Sequence, residues 1–189
     1  MSRGRSGPTL RTFVAVELEA TLRARLRDEL GAVRDQLPGL RTVPPDNVHL
    51  TLRFLGDSTV PQLERLRGEL ERLARGCPAG DARVAALGMF PEHGAPRVLW
   101  LGLELPPALL GLQADCERAA RAAGFEREPR PFQPHVTLGR WRERCERPRL
   151  PPLELGRTRL ATLTLFRSEL QPAGSRYTPL ASFPLAAPA

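Results

Sequence analysis

His49-Leu50-Thr51-Leu52 and His135-Val136-Thr137-Leu138 are two copies of one pattern, 86 residues apart. The chain holds 3 histidines, and two of them open these copies. Side chains at i and i+2 of a strand share a face, while i+1 and i+3 point the other way. Each copy therefore reads as a short strand with one apolar face and one face carrying His and Thr. Taken alone, either is a weak motif. The question is whether the two polar faces meet.

Working outward, residues 12–18 (TFVAVEL) read as a strand with little polarity on either face. Residues 20–37 follow, with Leu22, Leu26, Leu30, Val33 and Leu37 at helical spacing. Pro38 and Gly39 end that helix, and a turn through Pro44, Pro45, Asp46 and Asn47 enters the first His/Thr strand, residues 49–55. A second helix starts near Pro61 with Leu63, Leu66, Leu70 and Leu73 as its stripe. Residues 83–90 and 97–105 read as two strands joined by a turn at 91–96. A third helix spans 107–123, with Gly124 as its C-cap. The proline-rich lead-in 129–134 opens the second His/Thr strand. Residues 142–152 read as an exposed loop, and strands at 158–169 and 177–185 finish the chain.

A shift of 86 residues lays the strand 12–18 onto 98–104 and the first helix onto the third. Each half is then strand, long helix, proline-bearing turn, His-x-Thr strand. Duplicated lobes that pack about a pseudo-twofold axis bring equivalent faces to one cleft. Two histidines far apart in sequence can then flank one substrate. The expected organisation is one domain over residues 9–185, built of two interleaved lobes, behind a disordered leader at 1–8.

The 189 residues carry a formal charge of +7. Every basic residue is Arg, with neither Lys nor Ile in the chain, as GC-rich codon usage produces. That bias explains why the bases are arginine but not why they outnumber the acids. A basic surface favours polyanions through phosphate contacts and counterion release. The cysteines, Cys77, Cys116 and Cys145, are few and far apart. Neither a zinc knuckle nor a disulfide framework is indicated, and reduced thiols in a cytoplasmic protein are expected. The apolar run at 13–16 is too short for a signal core or a membrane span.

Two histidines facing each other form an acid/base pair, because imidazole titrates near ~6.5. Phosphodiester cleavage at an RNA 2′ position needs one group to take a proton and another to give one. Threonine hydroxyls two residues along each strand would donate hydrogen bonds to the non-bridging phosphate oxygens. No metal or cofactor is needed for that scheme, and no cluster of Asp, Glu and His has ligand spacing.

The pair HLTL and HVTL, within PPDNVHLTLRFLG and PFQPHVTLGR, resembles the 2H phosphoesterases. The likeness is greatest to the LigT-like RNA 2′,3′-cyclic phosphodiesterases, historically called 2′-5′ RNA ligases. It runs from TFVAVEL to the closing SEL and GSRYTPLASFPL, around Ser168, Gly174 and Tyr177. The resemblance implies an α+β, bilobal, pseudo-twofold duplicated fold. Two antiparallel sheets would line a central cleft, with helices outside. It implies hydrolysis of a terminal 2′,3′-cyclic phosphate on RNA to a 2′-phosphomonoester; separately, a monomer is expected. His49 would be the proton donor, His135 the proton acceptor, and Thr51 and Thr137 the phosphate ligands. Nothing in the residues themselves separates the two histidines. Ligation to a 2′-5′ bond is the same chemistry run backward, and a non-catalytic RNA-binding module or an enzyme for a small cyclic nucleotide would use the same cleft.

Arginines form a second tier of phosphate-binding candidates. By alternation Arg53 shares a face with His49 and Thr51, and its counterpart in the other copy is Gly139. Arg140 alternates onto the far face unless Gly139 forms a bulge. Arg130 lies in the proline-rich lead-in. Trp141 is a base-stacking candidate, Trp100 is assigned to packing, and His93 to an exposed turn.

Overall fold

A computed structural model of the chain describes residues 9–172 and 174–187. The leader expected at 1–8 lies outside them. The elements are β1 (Leu10–Leu18), α1 (Ala20–Gln36), β2 (Leu40–Thr42), a 3₁₀ turn (Pro45–Asn47), β3 (His49–Ser58), α2 (Val60–Gly76), β4 (Gly80–Phe90), β5 (Val98–Glu104), α3 (Pro107–Ala122), β6 (His135–Trp141), β7 (Arg157–Gln171) and β8 (Gly174–Pro184). The α+β class and the three helices agree with the sequence. The helical stripes are buried as their spacing requires, from Leu22, Leu26, Leu30 and Val33 on α1 to Leu109, Leu112 and Cys116 on α3. Gly124, at φ +93°, closes α3 in the left-handed region. One strand goes beyond what the sequence pattern predicts. Three-residue β2 is too short to show a period, yet it pairs with β6 from Leu40 opposite Trp141 to Thr42 opposite Gly139.

The two expected sheets are halves of one hydrogen-bonded network. One half runs β3–β1–β7–β8 and the other β2–β6–β5–β4. They join where Leu50 of β3 opposes Val136 of β6, and again where the start of β4 pairs with the start of β7. One face of each half packs with the helices into the main core, through residues such as Val14, Val16, Leu50, Leu99, Leu101 and Val136. The other face carries a small separate cluster of Phe13, Ala15 and Phe166, against which Tyr177 packs.

The repeat is real but its register is not uniform. Leu50 and Val136 match at the expected 86 residues and face each other as antiparallel partners. In the neighbouring strands, however, Ala15 opposes Thr51 while Trp100 opposes Thr137, an offset of 85. The strand at 12–18 therefore matches its counterpart one residue earlier than the overall shift suggests. A one-residue slip exchanges the faces of a strand. Trp100 packs, as expected, but in the wall beside His135 and not in the helix-side core. Room for its ring comes from Gly88, where a Cβ would sit 2.1 Å from the indole.

Both His/Thr strands also carry a bulge just past the threonine. The β1–β3 register jumps between Val14 and Ala15, and the β5–β6 register jumps between Leu99 and Trp100. An extra residue in one strand reverses the facing of everything beyond it. Leu52 and Arg53 are consequently both buried, and so are Leu138 and Gly139. Gly139 is needed there, since a Cβ would stand 2.8 Å from Leu40 and 2.9 Å from the Arg41 carbonyl.

Arg53 is thus turned away from the cleft. Its guanidinium pairs with Glu117 of α3 and donates to the carbonyls of Phe54 and Glu126. Glu117 in turn accepts from the Glu128 amide at 3.4 Å. The ion pair ties β3 to α3 and to the segment that leads into His135. Breaking a buried pair leaves its partner charged and unpaired. Arg53→Met is expected to lower unfolding free energy by about 3–5 kcal/mol in urea titrations. Adding Glu117→Leu should recover most of that loss, whereas an exposed pair would show a coupling below about 1 kcal/mol.

Candidate active site

The single ladder pair Leu50–Val136 organises the site. Its two members point into the core, so the residues on either side point into the cleft. Extending that antiparallel register by one residue each way sets His49 across from Thr137 and Thr51 across from His135. Each histidine thus faces the threonine of the other copy. All four side chains line one cavity of about 440 Å³.

Both imidazoles are held the same way. His49 Nδ1 lies 2.8 Å from the Asn47 carbonyl, and His135 Nδ1 lies 2.7 Å from the Gln133 carbonyl. A carbonyl only accepts, so each Nδ1 carries the hydrogen and Nε2 keeps its lone pair free. The turn residues Pro45 to Asn47 before β3 and the prolines before β6 place these carbonyls. Asn47 is itself anchored, its side-chain amide donating to the Ser175 carbonyl at 2.9 Å.

The walls differ between the lobes. His49 stacks on Phe13 at 4.7 Å between ring centroids and meets the edge of Tyr177 at 5.1 Å. His135 meets the edge of Phe90 at 5.1 Å and lies beside Trp100. Past the bulges, the cleft-facing counterparts are Phe54, which is 49% exposed, and Arg140. Sequence alternation names Arg53 for this position. Arg53 belongs to the core, and the strand bulge hands the cleft to Phe54. The same irregularity, the one Gly139 permits, brings Arg140 into the cleft. Arg130 also lines it, oriented by Glu128 at 2.7 Å. Trp141, the stacking candidate, is buried and donates to the Pro38 carbonyl at 3.1 Å. His93 is exposed as expected.

Phe13, Phe54, Tyr177 and Arg11 are cleft residues that sequence reasoning does not name as site residues. A strand phase corrected for the bulge would have found Phe54. Among the described residues, no group of three or more His, Cys, Asp or Glu is placed to hold a metal ion. Among them, too, no helix is long and apolar enough to cross a membrane. The three cysteines are unpaired thiols, and burial pushes Cys116 up to about 12.

Burial lowers the pKa of His49 from its ordinary value to about 4. The Asn47 carbonyl opposes this, and His135 adds a small lowering. Burial also lowers His135, with Arg140 and Arg130 adding to the effect against the Gln133 carbonyl. Both rings are therefore neutral at pH 7. An anion lodged between them restores the charged form. The unfolded chain binds the His49 proton near its ordinary pKa, and the folded chain binds it only near 4. Stability from this residue is thus intact above about pH 6.5 and falls as pH drops toward 4. Unfolding curves over that window are expected to show the native chain losing on the order of 3 kcal/mol more than a His49→Phe variant. Parallel pH profiles for the two proteins would contradict the burial argument.

A family profile described as LigT like Phosphoesterase matches residues 16–100 and 103–177. The RNA 2′,3′-cyclic phosphodiesterase of Methanothermobacter thermautotrophicus is 34% identical, over 93% of this chain and 99% of the relative. The protein of the same name from Thermus thermophilus is 37% identical, over 93% and 90%. Among solved structures, TT0787 of Thermus thermophilus superposes with a TM-score of 0.83 at 34% identity, covering 94% of this chain and 99% of that one. E. coli LigT complexed with 3′-AMP gives a TM-score of 0.80 at 29% identity, covering 94% and 98%. With the paired His/Thr strands set in one cleft and the family profile spanning both lobes, this chain belongs to the LigT-like phosphoesterases.

Proposed function

We propose that this protein hydrolyses the 2′,3′-cyclic phosphate at an RNA 3′ end to a 2′-phosphomonoester, without a metal ion. The observation that carries this reading is the crossed square of two histidines and two threonines, with both Nδ1 atoms tied to carbonyls. The names of the relatives support the same substrate.

In this mechanism the cyclic phosphate lies between the strands. Thr51 and Thr137 donate to its non-bridging oxygens, and their strength rises as charge builds in the pentavalent transition state. His135 Nε2 takes a proton from water as the water oxygen bonds to phosphorus. His49 Nε2 gives a proton to the 3′-oxygen as its bond to phosphorus breaks, leaving the phosphate on the 2′-oxygen. The assignment of donor and acceptor rests on the family resemblance. Burial disfavours the charged form of His49, so the ring holds its proton only while the substrate's negative charge lies beside it. Burial of the ring among Phe13, Phe166 and Tyr177 keeps bulk water from competing for that proton.

Turnover of an oligonucleotide ending in a 2′,3′-cyclic phosphate is expected to continue in EDTA and to yield only the 2′-phosphate end. His49→Ala and His135→Ala should each lower kcat by about 10²–10⁴-fold. Thr51→Val and Thr137→Val should cost on the order of 10²-fold, mainly in kcat. Full activity in either histidine variant, or activity lost with the chelator, would refute the two-histidine scheme.

A further inference from the structure

Arg41 of β2 and Arg140 of β6 are directly opposed across an antiparallel pair. Opposed residues share a face, with Cβ atoms about 5 Å apart, and like charges so placed repel. Both side chains are exposed. Leu40 faces the core, so Arg41 faces the cleft side, as does Val43 two residues on, which lines the cavity. Arg140 itself lines the cavity. The pair therefore carries positive charge from the His/Thr square out past the cavity wall.

Elsewhere the sheet does not leave such charge uncompensated. Arg83 and Arg157 are opposed across β4 and β7, but Arg83 also opposes Glu104 on β5 and is paired to it. Arg159 opposes Asp81 and forms an ion pair at 3.5 Å. The residue on the other side of Arg140 is Val98. Neither Arg41 nor Arg140 takes part in an ion pair among the described residues. Two guanidiniums held together without a carboxylate form a site for an external anion.

The geometry points to a second phosphate subsite, formed by Arg41 and Arg140, that holds the phosphodiester on the 5′ side of the terminal nucleoside. This rests on the proposed hydrolysis of cyclic-phosphate RNA ends. Thr137, a ligand of the cyclic phosphate in that reading, and Arg140 are three residues apart on a bulged strand. That separation, on the order of 7–10 Å, is comparable to the reach across one nucleoside from its 3′ to its 5′ side. The chain of an RNA continues only in the 5′ direction from a cyclic 3′ end. An anion site beside the first phosphate and outside the reacting groups therefore meets the next phosphate of the chain. The subsite would make the protein favour polynucleotide ends over bare cyclic nucleosides.

The smallest probe is one nucleoside 2′,3′-cyclic phosphate with either a 5′-hydroxyl or a 5′-phosphate. The native protein is expected to favour the 5′-phosphorylated form by about tenfold in kcat/KM, expressed mainly in KM. Arg41→Gln should abolish that preference while leaving hydrolysis of the 5′-hydroxyl form unchanged, and Arg41→Lys should restore part of it. Added salt should erode the preference of the native protein. Equal use of both probes by the native protein, or an equal loss on both in Arg41→Gln, overturns the subsite and leaves the hydrolase standing. Turnover of neither probe nor of a cyclic-ended oligonucleotide overturns the hydrolase reading and the subsite with it.

Discussion

One backbone ladder contact, Leu50 opposite Val136, is the constraint on which the site depends. These residues are counterparts in the two repeats, so their pairing places the pseudo-twofold axis between them. Two antiparallel strands that meet at equivalent residues must present His and Thr in crossed order. The arrangement needs no long-range steering of side chains. It follows from strand alternation, one register and two apolar residues buried to 1% and 0% exposure. A slip by one residue at this contact would turn one of the two histidines into the core.

What surrounds the axis is built to protect that register. The start of β4 paired with the start of β7 closes the network on the far side, while α1, α2 and α3 bury the opposite face. The Arg53–Glu117 pair pins β3 to α3 and, through Glu128, to the lead-in of β6. A buried ion pair is an expensive fastener compared with apolar packing. Its position explains its use. It joins β3, one of the two strands that must keep register, to α3 and to the segment that holds Glu128, the partner of Arg130.

Strands, helices and the His/Thr faces are legible because burial imposes period 2 or 3.6 on the residues themselves. The expected stripe on α1 is the observed one, and the strand 49–55 lies within β3. The misreadings share a cause: a bulge leaves no mark on alternation within its own strand, because it is defined by the partner's ladder. Leu52 and Leu138 look like ordinary core residues, yet the phase reverses just beyond them. Alternation therefore sends Arg53 to the cleft and passes over Phe54. Gly139 does carry a signal, since a glycine inside a strand marks a bulge or a close approach, and here Leu40 and the Arg41 carbonyl supply the approach. Strand β2 and the burial of Trp141 depend on contacts between segments far apart in the chain, which no local pattern encodes.

The duplicated scaffold supplies two equivalent histidines, but the RNA end proposed as substrate is not symmetric, so that reading requires the symmetry to break. It breaks at the positions just past the bulges. One lobe places a half-exposed aromatic, Phe54, where the other places Arg140. The environments of the histidines diverge accordingly: His49 is enclosed by Phe13, Phe166 and Tyr177, while His135 feels Arg130 and Arg140. A nucleotide has the same two-sidedness, an aromatic base at one end and phosphates along the other. Differences confined to the side chains beyond the His/Thr square would orient such a substrate and leave the register of the square untouched. On the proposed function, the two His-x-Thr copies answer to the phosphorus centre, and the flanks to the rest of the molecule attached to it.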